Sequence, residues 1–149
     1  MNIDYFMKEA IKEAKKGFNC NEIPIGGLLV DNITKSILAR NYNRINELKS
    51  AISHCELLLI SESCNKLQSK YLKNTTLFIT LEPCIMCAAA ISEVHISSVY
   101  FGAYDEKNGG LDNLFIKYNK KIFTPDIYGG IKQNECSNLL KEFFKNKRI

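Results

Sequence analysis

The sequence predicts an α/β layered fold built on a single sheet. Segments rich in β-branched and aromatic residues alternate along the chain with segments of helical apolar period. The 149 residues, 46% hydrophobic and 24% charged, suffice for a core that needs no covalent staples. No internal repeat, low-complexity tract or linker interrupts them, so residues 1–149 are expected to form one domain.

Ile3, Met7, Ala10, Ile11 and Ala14 follow a helical period, with Gly17 where a C-cap belongs. Ile23 to Val30 reads as a strand in which Gly26 and Gly27 admit a close backbone neighbour. A polar turn at Asp31 and Asn32 leads into a second strand near Ile37 to Arg40, making a hairpin. Asn41 to Lys49 is polar and reads as a loop. Ser53 is expected to open a helix running to about Asn65. Leu77 to Thr80 has high β propensity. Pro83 then suits the first turn of a helix that carries Cys84 and Cys87 on one face. Ser98 to Gly102 is a further strand, Ala103 to Gly110 a polar loop, and a last strand is expected around Ile122 to Thr124. Cys136, Leu139, Leu140 and Phe143 mark the apolar face of a final helix.

The longest apolar run, Cys84 to Ile91, has eight residues, too few for a spanning helix. No basic stretch leads into an apolar export signal, so a cytoplasmic protein without a membrane partner is expected. Six cysteines would suit a disulfide framework in a secreted chain. Without an export signal that reading is weak, and Cys20, Cys64 and Cys136 are expected as small buried apolar residues. The net charge of +4 is compatible with a polyanionic partner. Lys141, Lys145, Lys147 and Arg148 face only Glu142 in the last nine residues. A solvated helix end would account for them equally, because cations there favour the macrodipole.

The chemistry is written in His54-Cys55-Glu56 and Pro83-Cys84-Ile85-Met86-Cys87. A catalytic zinc takes three nitrogen or sulfur ligands and leaves a fourth position for water. His54, Cys84 and Cys87 supply that set, one Zn²⁺ per chain, and leave Glu56 free as a nearby carboxylate. This H-x-E and P-C-x-x-C pairing is already known as a signature of zinc-dependent nucleobase deaminases. In such chemistry a metal-activated water attacks the amine-bearing carbon, and one carboxylate moves protons to the ring nitrogen and the leaving amine. Other readings exist for each part. Ser53 and Glu56 form an S-x-x-E capping box. A C-x-x-C pair before a helix also serves redox chemistry, though such chemistry has no use for His54-x-Glu56. A structural zinc site would offer a fourth ligand.

Beyond these motifs the chain resembles the bacterial tRNA-specific adenosine deaminases of the cytidine-deaminase-like superfamily. The resemblance rests on Pro24 to Val30, Asn43-Arg44, Thr80 to Cys87, Val99 to Ala103 with Asp105, and Glu135-Cys136 with Phe143-Phe144. It implies a three-layer α/β/α sandwich around a mixed sheet of about five strands. It implies deamination of adenosine to inosine at the wobble position of tRNA, a homodimer, and contact with an anticodon stem-loop. By the same resemblance, His54, Cys84 and Cys87 hold zinc and Glu56 shuttles protons. Asn43, the backbone of Cys55 and Asp105 line the substrate pocket, and Lys107, Phe144, Lys147 and Arg148 contact RNA. The chain departs from the family pattern at Cys55, where Ala is usual, and in a longer turn between the first two strands. Two rivals carry parts of the pattern: a deaminase of free guanine or cytosine bases or nucleosides, and a non-catalytic RNA-binding zinc subunit, which would lack the glutamate.

Overall fold

A computed structural model describes residues 1–118 and 121–147. The elements run α1 (Ile3–Asn19), β1 (Gly26–Asp31), β2 (Ile37–Tyr42), α2 (Ile45–Leu48), α3 (Cys55–Leu67), β3 (Thr75–Leu81), α4 (Ile85–Glu93), β4 (Ser98–Ala103), α5 (Leu111–Tyr118), β5 (Asp126–Tyr128) and α6 (Gln133–Lys147). The five strands form one sheet in the order β2-β1-β3-β4-β5. β1 pairs antiparallel with both β2 and β3, whereas β3–β4 and β4–β5 are parallel. The sheet is therefore mixed, as the resemblance implies.

Strand periodicity sorts the apolar residues into two cores. On one face Leu29, Leu77, Ile79, Val99 and Phe101 pack with Cys55 and Leu59 of α3, Ala88 and Ile91 of α4, and Leu111 and Phe115 of α5. On the other face Leu28, Val30 and Phe78 pack with Phe6, Met7, Ala10 and Ile11 of α1 and Cys136 of α6. Successive strand residues point to opposite faces, so neighbours such as Leu28 and Leu29 enter different cores. Helices cover both faces and give three layers.

Several boundaries differ from the sequence expectation. Gly17 lies inside α1, which ends at Asn19 with Cys20 as C-cap; the Tyr42 ring sits where a Gly17 side chain would start. The close neighbour of Gly26 is α1, since a Cβ there would lie 2.2 Å from the Ala14 nitrogen. Ser53 does not open α3: His54 is its N-cap, Ser53 N–H bonds the Ser50 carbonyl, and no capping box forms. Cys84 is likewise the N-cap of α4, leaving Pro83 just outside the helix. α2 arises in a stretch that reads as loop, α5 arises in one to which the sequence reading assigns no element, and the last strand forms at Asp126–Tyr128 instead of around Ile122 to Thr124. All six cysteines are free. Cys136 is buried as expected, but Cys64 is only partly covered and Cys20 is exposed. No described helix is long and apolar enough to cross a membrane.

Candidate active site

Two helix N-termini meet at one point beside the C-terminal end of β3. His54 caps α3 and Cys84 caps α4, and neither makes a side-chain capping bond. Both side chains are thereby left to face each other, with Cys87 one turn into α4. His54 Nδ1 lies 3.7 Å from Cys84 Sγ and 3.6 Å from Cys87 Sγ. The three donor atoms fall within 4.8 Å of one another. Tetrahedral zinc with bonds of ~2.0–2.3 Å needs donor separations of about 3.5–3.8 Å, so one imidazole and two sulfurs fit the ion. His54 also hydrogen-bonds the Ala51 backbone, the type of outer contact that orients a metal-ligating imidazole.

The metal-free electrostatics favour a cation. Hydrogen bonds from the Cys87 thiol and from His54 hold Cys84 down to about 4, a thiolate. The same contact and its burial push Cys87 up. His54 is raised, chiefly by Cys84. These groups share protons around one sulfur anion, and a divalent ion replaces those protons. The positive ends of two helix dipoles add to the preference for anionic sulfur.

Glu56 projects from the first turn of α3 and is 4% exposed. Burial pushes its carboxyl up to about 7, and the Cys87 thiol hydrogen-bonds it. The absence of a capping box is what leaves this carboxyl turned toward the donors. Asn43, 3% exposed, approaches from the β2–α2 junction, and its Oδ1 accepts the Cys55 N–H at 2.7 Å. That N–H, which the resemblance directs at substrate, is therefore engaged by Asn43. The Cys55 thiol points away from the donors and donates to the Asn41 carbonyl at 3.2 Å.

The 104–110 loop closes over the cysteine turn. Cys84 and Gly109 form an isolated bridge, and Gly110 N–H donates to the Pro83 carbonyl at 2.9 Å. A Cβ on Gly110 would lie 2.2 Å from the Ile85 nitrogen, so only glycine permits this approach. Asp105 stands in the loop, but its Oδ1 accepts the Lys107 and Asn108 N–H groups at 3.2 and 3.0 Å. Its visible role is to shape the turn. Glu82, for which the sequence carries no local signal of a role, ties that turn to β3 by accepting the Asp105 N–H at 3.1 Å.

Beside the loop lies a cleft of about 790 Å³ lined by Lys107, Leu140, Lys141, Phe144 and Lys145. It brings Lys107 and Phe144 together with Lys141 and Lys145. Lys147 is elsewhere: it hydrogen-bonds Asn21 and lies over the Phe143 ring. Arg148 falls outside the described residues.

The sequence profile described as "Cytidine and deoxycytidylate deaminase zinc-binding region" matches residues 1–103. His54, Cys84 and Cys87 lie within that span and are positioned to hold the zinc. A tRNA-specific adenosine deaminase of Rickettsia felis is 37% identical over 144 residues, covering 95% of this chain and 100% of the relative. A structure from a study of A-to-I editing by tRNA:A34 deaminases at the wobble position of transfer RNA superposes with a TM-score of 0.85. It is 36% identical and covers 91% of this chain and 99% of that one. The guanine deaminase of Nitrosomonas europaea shares the fold at 17% identity, with a TM-score of 0.81 over 94% of this chain and 83% of that one. The chain belongs to the zinc-binding cytidine and deoxycytidylate deaminase family, and within it to the bacterial tRNA-specific adenosine deaminases.

Proposed function

We propose that this protein hydrolyses adenosine to inosine at the wobble position of tRNA, with Glu56 as its proton-transfer group. The observation that carries the chemistry is a buried carboxyl against a set of three zinc donors. The likeness to tRNA-specific deaminases over nearly the whole chain supports the substrate.

Zinc held by His54, Cys84 and Cys87 would lower the pKa of a water molecule toward neutrality. The rest falls to the chain's own residues. Glu56 takes one proton from the attacking water and gives it to the purine ring nitrogen as the C–O bond forms and the amine-bearing carbon becomes tetrahedral. It then takes the proton of the new hydroxyl and gives it to the amine, which leaves as ammonia as the C–N bond breaks and the carbonyl forms. A carboxyl whose pKa lies near the working pH suits both directions of transfer. Asn43 has its amide oxygen fixed by the Cys55 N–H, so its orientation is set and its NH₂ is the end offered to a base. The 104–110 loop covers the cysteine turn and limits water at the site.

An anticodon loop presents unstacked bases that enter such a pocket at low cost. The cleft with Lys107, Lys141, Lys145 and Phe144 offers cations for phosphates and a ring for stacking. Leu48, Ile52 and Ile85 are exposed apolar side chains on segments around the donors, and a homodimer that covers them belongs to this reading. So does a cytoplasmic location, where tRNA is found. The test is inosine formation from an anticodon stem-loop with adenosine at the wobble position, beside free adenosine, cytidine and guanine. Turnover of the stem-loop alone is expected; efficient turnover of guanine or cytidine without stem-loop activity would replace this reading with the small-molecule one.

A further inference from the structure

Asn43 is delivered to the zinc donors by a segment that apolar packing does not hold. α2, which follows it, has four residues and buries none of its side chains. A single helical turn is not stable by itself in water, and its N-cap, Arg44, makes no side-chain capping bond. The N–H groups orphaned at its start are met from elsewhere in the chain. Glu22, in the connection between α1 and β1, accepts the Asn46 N–H on Oε1 at 3.0 Å and the Glu47 N–H on Oε2 at 2.8 Å. It is 2% exposed, an uncommon place for a glutamate, and both of its oxygens are taken by this one turn.

The other ties on the segment are polar as well. The Asn46 side chain donates to the Asn21 carbonyl at 3.0 Å. Arg44 donates to Asn41 at 2.7 Å and to both Glu47 oxygens at 2.9 Å, and lies 4.2 Å over the Tyr42 ring. Asn41 is anchored in turn on Glu62 at 2.6 Å. Of these groups Glu22 is the most buried and the one that engages the backbone of α2 twice, so its loss frees the turn most directly.

We infer that Glu22 is a positioning residue for the deamination, capping α2 from outside and so fixing Asn43 against Cys55. The inference rests on the role proposed for Asn43. Glu22 touches no reacting atom; it acts through the backbone of residues 43–47. The isosteric Glu22→Gln tests it sharply, because the amide keeps one acceptor and turns an NH₂ toward the second backbone N–H. A buried donor without a partner is costly, and the turn is expected to loosen while the zinc donors on α3 and α4 stay in place. Displacements of ~1 Å at a reacting group can reduce rates by about 10²-fold.

The experiment is a double-mutant cycle in kcat/KM on the anticodon stem-loop, with Glu22→Gln, Asn43→Ala and both together. Glu22→Gln is expected to lower kcat/KM by about 10-fold or more with zinc content unchanged, and Glu22→Asp to fall between it and wild type. In the Asn43→Ala background, Glu22→Gln is expected to change kcat/KM by less than about 2-fold. Amide exchange at Asn46 and Glu47 should speed up in Glu22→Gln while the amides of α3 and α4 keep their protection. Equal losses in both backgrounds, loss of zinc, or no loss of activity would each overturn the inference. If Asn43→Ala alone leaves turnover intact, the role of Asn43 fails instead, and unchanged exchange at Asn46 and Glu47 then overturns the hold of Glu22 on α2.

Discussion

Replacing Glu56 by Gln separates metal binding from proton transfer more cleanly than any other change at the site. The side chain is 4% exposed and hydrogen-bonded by Cys87, but it is not one of the three converging donors. Gln has nearly the same volume and retains a hydrogen-bonding oxygen, so neither a cavity nor a lost ligand follows. What is lost is the group that carries protons, and positioned general acid–base catalysis contributes about 10²- to 10⁴-fold. That corresponds to about 3–5 kcal/mol in the barrier. Because one carboxyl serves both transfers here, the loss is expected at the upper end of that range. The assay is single-turnover inosine formation in the stem-loop, with zinc per chain measured on the same sample by elemental analysis. Zinc should stay at about one ion per chain while the rate collapses. Zinc lost together with activity would refute the division of labour, as would a rate within about 10-fold of wild type.

Other perturbations test the surrounding account. His54→Ala or Cys87→Ala should lose zinc and activity together, and prolonged chelation of the wild type should lower both activity and thermal stability, because metal binding adds to folding stability. Cys55→Ala should keep zinc and nearly full activity, since its thiol faces the Asn41 carbonyl; a small cost in stability, about 1 kcal/mol, should appear in thermal melts. Gly26→Ala sets a Cβ 2.2 Å from the Ala14 nitrogen and 2.5 Å from the Ala10 carbonyl oxygen. It should destabilise by about 3 kcal/mol, lowering Tm by roughly 6–12 °C. Lys107→Ala, Lys141→Ala and Lys145→Ala should each weaken stem-loop binding, and every lost phosphate contact should reduce the salt slope of log K by about 1. Lys147→Ala should leave that slope unchanged, because Lys147 is turned toward Asn21.

What the sequence revealed and what it hid follow from how local each signal is. Strand alternation and helical period are local, and β1, β3, β4, α1 and α6 fall close to where they are expected. The zinc donors were legible because two short motifs carry all three, with Glu56 two residues from His54. Local propensity misled where a distant group decides the outcome. Asn41 to Lys49 reads as loop, yet β2 continues to Tyr42, and α2 forms when Glu22, more than twenty residues earlier, supplies its cap. The S-x-x-E pattern favours a capping box locally, but His54 takes the N-cap itself. Lys107 and Lys145 lie far apart in the chain and share a cleft only because the 104–110 loop and α6 meet in space. Lys147, two residues beyond Lys145 on α6, turns instead toward Asn21.

Mapping the product on a whole tRNA tests wobble-position deamination directly. A transcript carrying adenosine at position 34, and a control with guanosine there, would be incubated with zinc-loaded protein and with the Glu56→Gln variant, then digested and read by mass spectrometry. Inosine is expected at position 34 of the first transcript alone, formed by the wild type and not by the variant. No inosine at that position, or inosine formed equally by the variant, would contradict it.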